Sequence, residues 1–212
     1  MKTIESRAVI LYPKDETELN RELRLIEIAG RTAYKSEEKI TENSAIPFIE
    51  MIVKRNHLAV IEFGNMVVKF IMDRGISHEI VRHRLCSFIQ ESTRYCNYGN
   101  DKFNREITFI IPHGVSDGDT KEANWQGACL TAEQNYLNMI DKGFSPQIAR
   151  SILPTCTKTE IVVKANFREW RHIFQLRAVE KAAHPDMRKV MIPLYQRARI
   201  ICPAIFDLGD PE

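Results

Sequence analysis

One segment in the middle of the chain concentrates side chains that could bind an anion. It opens with two arginines flanking a histidine and closes with a hydroxyl, an arginine and a phenol: Arg82, His83, Arg84, Ser92, Arg94 and Tyr95. Guanidinium groups match phosphate oxygens in pairs, and an imidazole or phenol ring offers a flat surface to a planar ligand. The segment is therefore typical of a site for a ligand with a phosphate and an aromatic base, such as a nucleotide. A solvated basic helix end followed by a strand fits the same residues, and composition alone leaves both interpretations open.

A second basic group lies further along the chain and consists of Arg168, Arg171, His172 and Arg177. The whole chain of 212 residues nevertheless carries a formal net charge of only +2. Local basic clusters in a nearly neutral chain suit small anionic ligands better than long polyanions. We therefore expect small-molecule partners and no nucleic acid, because a dedicated nucleic-acid binder needs a strongly basic face.

Other catalytic motifs are excluded by residue spacing. The nine glycines are scattered, so neither a G-x-G-x-x-G fingerprint nor a P-loop is present. His78 and His83 are five residues apart, so they do not share the helical face that a zinc H-E-x-x-H site needs. The five cysteines are widely spaced and include no C-x-x-C pair, which is typical neither of a disulfide framework nor of a zinc knuckle. We predict no metal site.

The elements that must position these residues follow from apolar periodicity and turn signals. Helices are predicted over 17–33, 76–84, 167–179 and 186–201, the last with a kink at Pro193. A further helix begins at a cap at Ser44. Another runs from a cap at Asp119 or Thr120 up to Gly143, and a short one runs from Ser145-Pro146 to before Pro154. Strands are predicted over 65–72, 106–112 and 159–165. Because strands and helices mix without regular βαβ alternation, we predict an α+β fold, and the length suits one domain over residues 1–212.

The location of the protein is also constrained by composition. Apolar residues make up 44% and charged residues 27% of the chain, as in ordinary globular proteins. No apolar run approaches the roughly 20 residues that cross a bilayer, and residues 1–7 contain no apolar stretch of a signal peptide. We therefore expect a cytoplasmic protein without a membrane partner.

The central segment resembles the signature R-H-R-x(7)-S-x-R-Y of the flavin-dependent thymidylate synthases, and all six fixed positions match with their spacing intact. Further elements of that family follow or precede it in the expected order: Ala149-Arg150-Ser151-Ile152-Leu153-Pro154, Asn166-Phe167-Arg168, Gln175-Leu176-Arg177-Ala178, and His57 with Glu62. The resemblance extends over residues 45–200, which is most of the chain.

The resemblance implies the reductive methylation of dUMP to dTMP. It implies 5,10-methylenetetrahydrofolate as the one-carbon donor, NADPH as the reductant and FAD as the carrier of the hydride. No enzyme cysteine attacks the base in this family, which agrees with the unremarkable cysteines here. The family also implies a mixed or antiparallel sheet flanked by helices, and a homotetramer whose active sites are shared between chains.

The resemblance assigns roles to individual residues. Arg177 is the expected catalytic residue, because a fixed guanidinium can stabilise negative charge on the N3/O4 side of uracil and so raise electron density at C5. The residues expected to bind FAD are Glu62, Arg82, His83, Arg84, Gln90, Asn166, Arg168 and His172. The residues expected to bind dUMP are Glu79, Arg82, Gln90, Glu91, Ser92, Thr93, Arg94, Arg150 and Arg177.

The chain departs from the family pattern at several positions. Gln90 stands where many relatives have glutamate, and Glu79 where an amide is common, so these two residues could exchange roles in part. Further departures lie at Ala59, Phe63, Lys181 and His184. Two rival interpretations therefore stay open. One is a nucleotide-binding relative that has lost catalysis, and the other is a nucleic-acid module that stacks bases on Tyr95, Tyr98 and Phe103.

Overall fold

The computed structural model describes residues 1–115, 118 and 120–211. Its helices are α1 (Glu16–Tyr34), α2 (Ala45–Lys54), α3 (Arg74–Ile80), α4 (Thr120–Asp141), α5 (Pro146–Ala149), α6 (Phe167–Phe174), α7 (Pro185–Ile201) and α8 (Pro203–Phe206). Its strands are β1 (Lys2–Ile4), β2 (Arg7–Tyr12), β3 (Asn65–Asp73), β4 (Ser87–Gln90), β5 (Thr108–Ile110) and β6 (Lys158–Asn166). A π-helical turn, Gln175–Val179, follows α6 directly. This mixture confirms the predicted α+β class.

The strands form two sheets. One has four strands in the order β2-β3-β6-β4, and the other pairs β1 with β5 in parallel, with Lys2 opposite Thr108 and Ile4 opposite Ile110. Along β3 every second residue is buried, which is the period of two that a pleated strand imposes. No helix in the described ranges is both long enough and apolar enough to cross a membrane.

The chain folds into two compact units. Unit 1 consists of Met1–Arg7, Phe70–Arg82 and Ile89–Ile161. Its core includes Tyr136, which is fully buried and accepts a hydrogen bond from the Tyr98 backbone N–H at 3.3 Å through its hydroxyl. The N-terminal amine of Met1 lies 3.0 Å from the Glu133 carboxylate, and this ion pair anchors β1 beside β5.

Unit 2 consists of Ala8–Lys69, His83–Phe88 and Val162–Glu212. Its core includes an aromatic group centred on Phe174, whose ring lies 5.6 Å from Trp170, 5.5 Å from Tyr195 and 5.7 Å from Phe206. Trp170 is fully buried, and its indole N–H donates to the Met66 carbonyl at 2.9 Å. This packing fixes α6 and the π-helical turn that follows it.

Most predicted elements are confirmed, and the differences have local causes. Helix α3 begins at Arg74 instead of residue 76, because the Asp73 carboxylate accepts the Ile76 N–H at 2.8 Å and so caps the helix earlier. The predicted strand 106–112 shrinks to Thr108–Ile110, because the Ile107 N–H donates to the Glu133 carboxylate at 2.7 Å. Gly143 has a φ of 84°, as the predicted helix end requires.

Three other predictions have different outcomes. Helix α4 begins at Thr120, and the alternative cap Asp119 lies outside the described residues. Pro193 lies inside the continuous helix α7. The strands β1, β2 and β4 were not predicted from the sequence, because each has only three to six residues. One domain over residues 1–212 stays a prediction.

Candidate active site

The predicted site residues fall into two sets, one in each unit. The set in unit 1 is called the β4 cluster and consists of Gln90, Glu91, Ser92, Thr93, Arg94 and Arg150. The set in unit 2 is called the α6 cluster and consists of Glu62, His83, Asn166, Arg168, His172 and Arg177. Each cluster is built from segments that are distant in sequence, so tertiary folding has to assemble both.

Gln90 ends strand β4 and is fixed by hydroxyl groups of unit 1. Its amide nitrogen donates to Ser77 Oγ at 2.8 Å and to Thr159 Oγ1 at 3.2 Å. The Ser77 hydroxyl proton is already used, because it donates to the Arg74 carbonyl at 2.7 Å. A carboxylate at position 90 would meet an oxygen that has no proton to offer, so this environment suits an amide.

Arg74 belongs to the same network and was not predicted as a site residue. Its guanidinium donates to Thr159 Oγ1 at 3.1 Å and to the Glu91 carbonyl at 3.2 Å. Its backbone N–H donates to the carbonyls of Thr155 and Thr157 at 2.9 and 3.1 Å. Arg74 therefore connects the start of α3 to the strand end that carries the β4 cluster.

Glu91 has both carboxylate oxygens engaged within unit 1. Tyr98 donates its hydroxyl at 2.9 Å, and the Lys158 ammonium lies at 2.8 Å. Burial and the negative charge of Glu91 raise the pKa of Tyr98. Burial opposes the charge of Lys158, but its hydrogen bonds to Glu91 and Glu160 raise its pKa. This geometry favours a supporting role for Glu91, and its predicted contact with dUMP stays a prediction.

The end of the β4 cluster is a turn that presents cations to solvent. The Ser92 hydroxyl accepts the Arg94 N–H at 3.3 Å, and the exposed Arg94 guanidinium lies 5.4 Å from the centroid of the Tyr95 ring. The exposed Arg150 donates to the buried Thr93 hydroxyl at 3.4 Å, although the two residues are 57 positions apart. The structure thus brings two predicted anion-binding segments together.

Two further predicted substrate residues lie in and just after α3. Glu79 is half-buried in that helix, and its carbonyl accepts the Arg82 N–H at 3.3 Å. The Arg82 side chain is exposed. Arg84 is exposed as well and lies in the short segment His83–Phe88 of unit 2. Their predicted ligand contacts stay predictions.

The α6 cluster borders an open cavity of about 580 Å³. The cavity is lined by Leu58, Glu62, Leu85, Asn166, Arg168, Glu169, Arg171, His172, Gln175 and Leu208. On its rim Arg168 and Glu62 form an exposed ion pair with an N–O distance of 2.6 Å. The Asn166 side chain accepts the Glu169 N–H at 2.8 Å and so caps α6. The lining combines apolar leucines with cationic and amide donors and with the carboxylates of Glu62 and Glu169, the first of which is paired with Arg168. Its donors suit an anionic ligand with a planar ring.

His83 is buried beside α6 and connects the R-H-R motif to that helix. Its Nε2 accepts from Arg177 Nε at 3.2 Å, its Nδ1 lies 3.6 Å from the Glu169 carboxylate, and its ring centroid is 5.8 Å from that of His172. Burial, then the charge of Arg177 and then His172 lower the pKa of His83 to about 4. His83 is therefore a neutral imidazole at pH 7, held between a cation and an anion.

Arg177 lies in the π-helical turn and is half-buried. Single π-helical turns are rare and recur at functional sites. Glu169 and Arg74 are two of the neighbours that were not predicted from the sequence. The spacing Asn166-x-x-Glu169 is a visible capping signal, but nothing in the sequence indicates which side chains Arg74 or Glu169 meet.

The family model described as Thy1, thymidylate synthase complementing protein, matches residues 16–204. A flavin-dependent thymidylate synthase from Pyrococcus furiosus is 31% identical over 82% of this chain and 71% of its own length. One from Geobacter sulfurreducens is 28% identical over 88% and 81%. The crystal structure of the UMP/dUMP methylase PolB from Streptomyces cacaoi bound with 5-Br dUMP superposes with a TM-score of 0.76, covering 98% of this chain and 96% of that one. At 18% identity this last likeness shows a shared fold.

Proposed function

The chain belongs to the flavin-dependent thymidylate synthase family, and we propose that it converts dUMP to dTMP. Membership, which the R-H-R motif predicted, makes the chain an enzyme of the methyltransferase type. Beyond the family match, the observation that carries the proposal is the contact between Arg177 and His83. It joins two elements of the family pattern, 94 residues apart, around one buried imidazole.

We propose that the β4 cluster receives the dUMP phosphate. The exposed guanidinium groups of Arg94 and Arg150 supply charge and paired donors for phosphate oxygens, and the Ser92 hydroxyl adds a further hydrogen bond. The hydrogen bonds of Gln90 and Glu91 hold the strand end from which this turn projects. Binding therefore needs little reorganisation of the backbone.

The α6 cluster fits the FAD that the family uses. Leu58, Leu85 and Leu208 offer apolar surface for a planar ring, and Arg168 and His172 offer donors for anionic groups. We propose that these residues hold FAD together with Glu62, Asn166 and the arginines of the R-H-R motif. When bound, FAD supplies the capacity to accept and donate a hydride.

Arg177 has the proposed catalytic role. Its guanidinium donates to the N3/O4 side of uracil and stabilises the negative charge that makes C5 nucleophilic. Because His83 is neutral, it accepts from Arg177 without adding a competing positive charge. We further propose 5,10-methylenetetrahydrofolate as the methylene donor, NADPH as the reductant and a homotetramer as the assembly.

The experiment that tests this function combines a spectrum with an isotope assay. We expect the purified protein to show flavin absorbance and to release tritium from [5-³H]dUMP when methylenetetrahydrofolate and NADPH are both present. A flavin-containing protein that binds dUMP without releasing tritium would be a relative that has lost catalysis. A colourless protein that binds nucleic acid would contradict the family-based proposal altogether.

A further inference from the structure

The His83 side chain lies between the side chains of Glu169 and Arg177. His83 Nε2 lies 3.2 Å from the Nε–H of Arg177, and on the other side of the ring Nδ1 lies 3.6 Å from a Glu169 oxygen. A neutral imidazole carries one N–H and one lone pair. Because Nε2 faces a guanidinium that can only donate, its lone pair must point there. The ring proton therefore lies on Nδ1, the nitrogen that faces the Glu169 carboxylate.

Burial limits the protonation states and tautomers that His83 can adopt. The exposed fraction is 6% for His83 and 8% for Glu169, so neither side chain is surrounded by water. The depressed pKa of His83 keeps the imidazole neutral, so the choice at pH 7 is between its two tautomers. At 3.6 Å the Glu169 carboxylate lies just beyond hydrogen-bonding distance of Nδ1, but its negative charge stabilises a proton on that nitrogen.

The backbone holds Glu169 in place. It occupies the first turn of α6, and its N–H donates to the side chain of the capping residue Asn166 at 2.8 Å. The positive end of the helix dipole favours a carboxylate there. The Glu169 side chain is thus directed by a helix that is itself fixed by the buried Trp170 and Phe174.

We infer that Glu169 is a positioning residue whose carboxylate holds His83 in the Nδ1–H tautomer, so that His83 in turn fixes the orientation of the Arg177 guanidinium. The inference rests on the proposed role of Arg177. Without the carboxylate, His83 is able to adopt the Nε2–H tautomer, which presents a donor to the donor Arg177 and breaks their contact.

A purely structural role in helix capping is the competing explanation, and the chain offers a matched control. Glu18 of α1 occupies the equivalent position, because its N–H donates to the capping Asp15 carboxylate at 2.8 Å. Glu18 is half-buried, its carboxylate accepts the Lys14 N–H at 2.7 Å, and it faces no histidine in the described contacts. Glu18→Ala removes a first-turn carboxylate of the same kind and leaves His83 untouched.

The test compares full-length, flavin-loaded wild type, Glu169→Ala, Glu169→Gln and Glu18→Ala. The tautomer of His83 is measured by ¹⁵N NMR with histidine labelling, together with kcat, the KM for dUMP and flavin content. We expect the Nδ1–H tautomer in wild type and Glu18→Ala. Glu169→Ala should shift the tautomer and lower kcat by roughly tenfold to a hundredfold, with flavin retained and KM little changed. Glu169→Gln keeps an acceptor oxygen and should recover most of the Nδ1–H tautomer and most of kcat.

Three outcomes would overturn the inference. The Nε2–H tautomer in wild type does so without any variant, so the test survives if Glu169→Ala fails to fold. A kcat that falls while the tautomer stays, or a tautomer that changes while kcat stays, removes the link from Glu169 to Arg177. Wild type that shows no turnover would instead contradict the proposed function, and the NMR result would still report the tautomer.

Discussion

The two clusters hold their polar groups in different ways. In the β4 cluster the polar side chains are held by neighbouring residues of unit 1, as in the contacts of Glu91 with Tyr98 and Lys158, and the arginines are exposed. In the α6 cluster a neutral histidine is buried beside Arg177, next to an open cavity. The first arrangement suits binding of an anion on a rigid support, whereas the second suits control of one cation's orientation. The difference predicts that substitutions in the two clusters will affect different measurable quantities.

The largest expected effect belongs to Arg177. Arg177→Ala should lower kcat roughly a hundredfold to a thousandfold, because it removes a donor to the charge that develops on uracil. Flavin absorbance should persist. Tritium release and the visible spectrum measure the two properties separately. Arg199→Ala, which removes a partly exposed arginine paired with Asp207 and Asp210, serves as the control. Full activity in Arg177→Ala would remove the catalytic role assigned to that residue.

The pH dependence of stability should identify the buried imidazole. The pKa of His83 is lowered from 6.5 to about 4, so between these values the unfolded chain binds a proton that the folded chain does not. The free energy of unfolding should therefore decrease as the pH falls from about 6.5 to 4, by about 3 kcal/mol from this group. Urea unfolding of wild type and His83→Gln should show a weaker decrease in the variant. Above pH 7.5 the two slopes should coincide, and equal slopes throughout would contradict a neutral buried His83.

Removing the Glu91 carboxylate should affect stability more than affinity. Glu91→Ala leaves the half-buried Lys158 and the buried Tyr98 without their partner and should lower the free energy of unfolding by about 2–3 kcal/mol. Urea denaturation measures this cost. Asp141→Ala removes the partner of the exposed Arg105 in the same unit and should cost far less. A Glu91→Ala protein as stable as that control would show that Glu91 is not a support.

Arg150→Ala should produce the smallest of these changes and the most selective one. It removes one of the exposed cations of the β4 cluster, so the KM for dUMP should rise roughly tenfold while kcat changes little. Steady-state kinetics at saturating folate and NADPH separate the two constants. Deoxyuridine, which lacks the phosphate, should bind wild type and variant equally. A variant that also loses affinity for deoxyuridine would contradict phosphate recognition by Arg150.

The sequence predicts the elements that carry a strong local pattern. The helix expected over 17–33 is observed at Glu16–Tyr34, and the strand expected over 65–72 at Asn65–Asp73, because their apolar residues recur with the period of the element. The helix expected over 167–179 is present, but its last five residues form the π-helical turn that carries Arg177. Periodicity does not encode such a turn, since it depends on packing within unit 2.

The same limit applies to the candidate site. The sequence alone indicates Arg94, Arg150 and Arg177, because each lies in an element that resembles the family pattern. It does not indicate Arg74 or Glu169, whose importance lies in hydrogen bonds and ion pairs with residues far away in sequence. Predicted contacts with FAD and dUMP, the homotetramer and the cytoplasmic location stay predictions.

Mass spectrometry of the nucleotide product is the most direct test of the proposed conversion of dUMP to dTMP. Flavin-loaded protein would be incubated anaerobically with dUMP, 5,10-methylenetetrahydrofolate and NADPH. We expect dUMP to be converted to dTMP in repeated turnovers and the omission of any one reagent to prevent this conversion. Flavin-loaded protein that leaves dUMP unchanged, with all three reagents present, would contradict the proposed function.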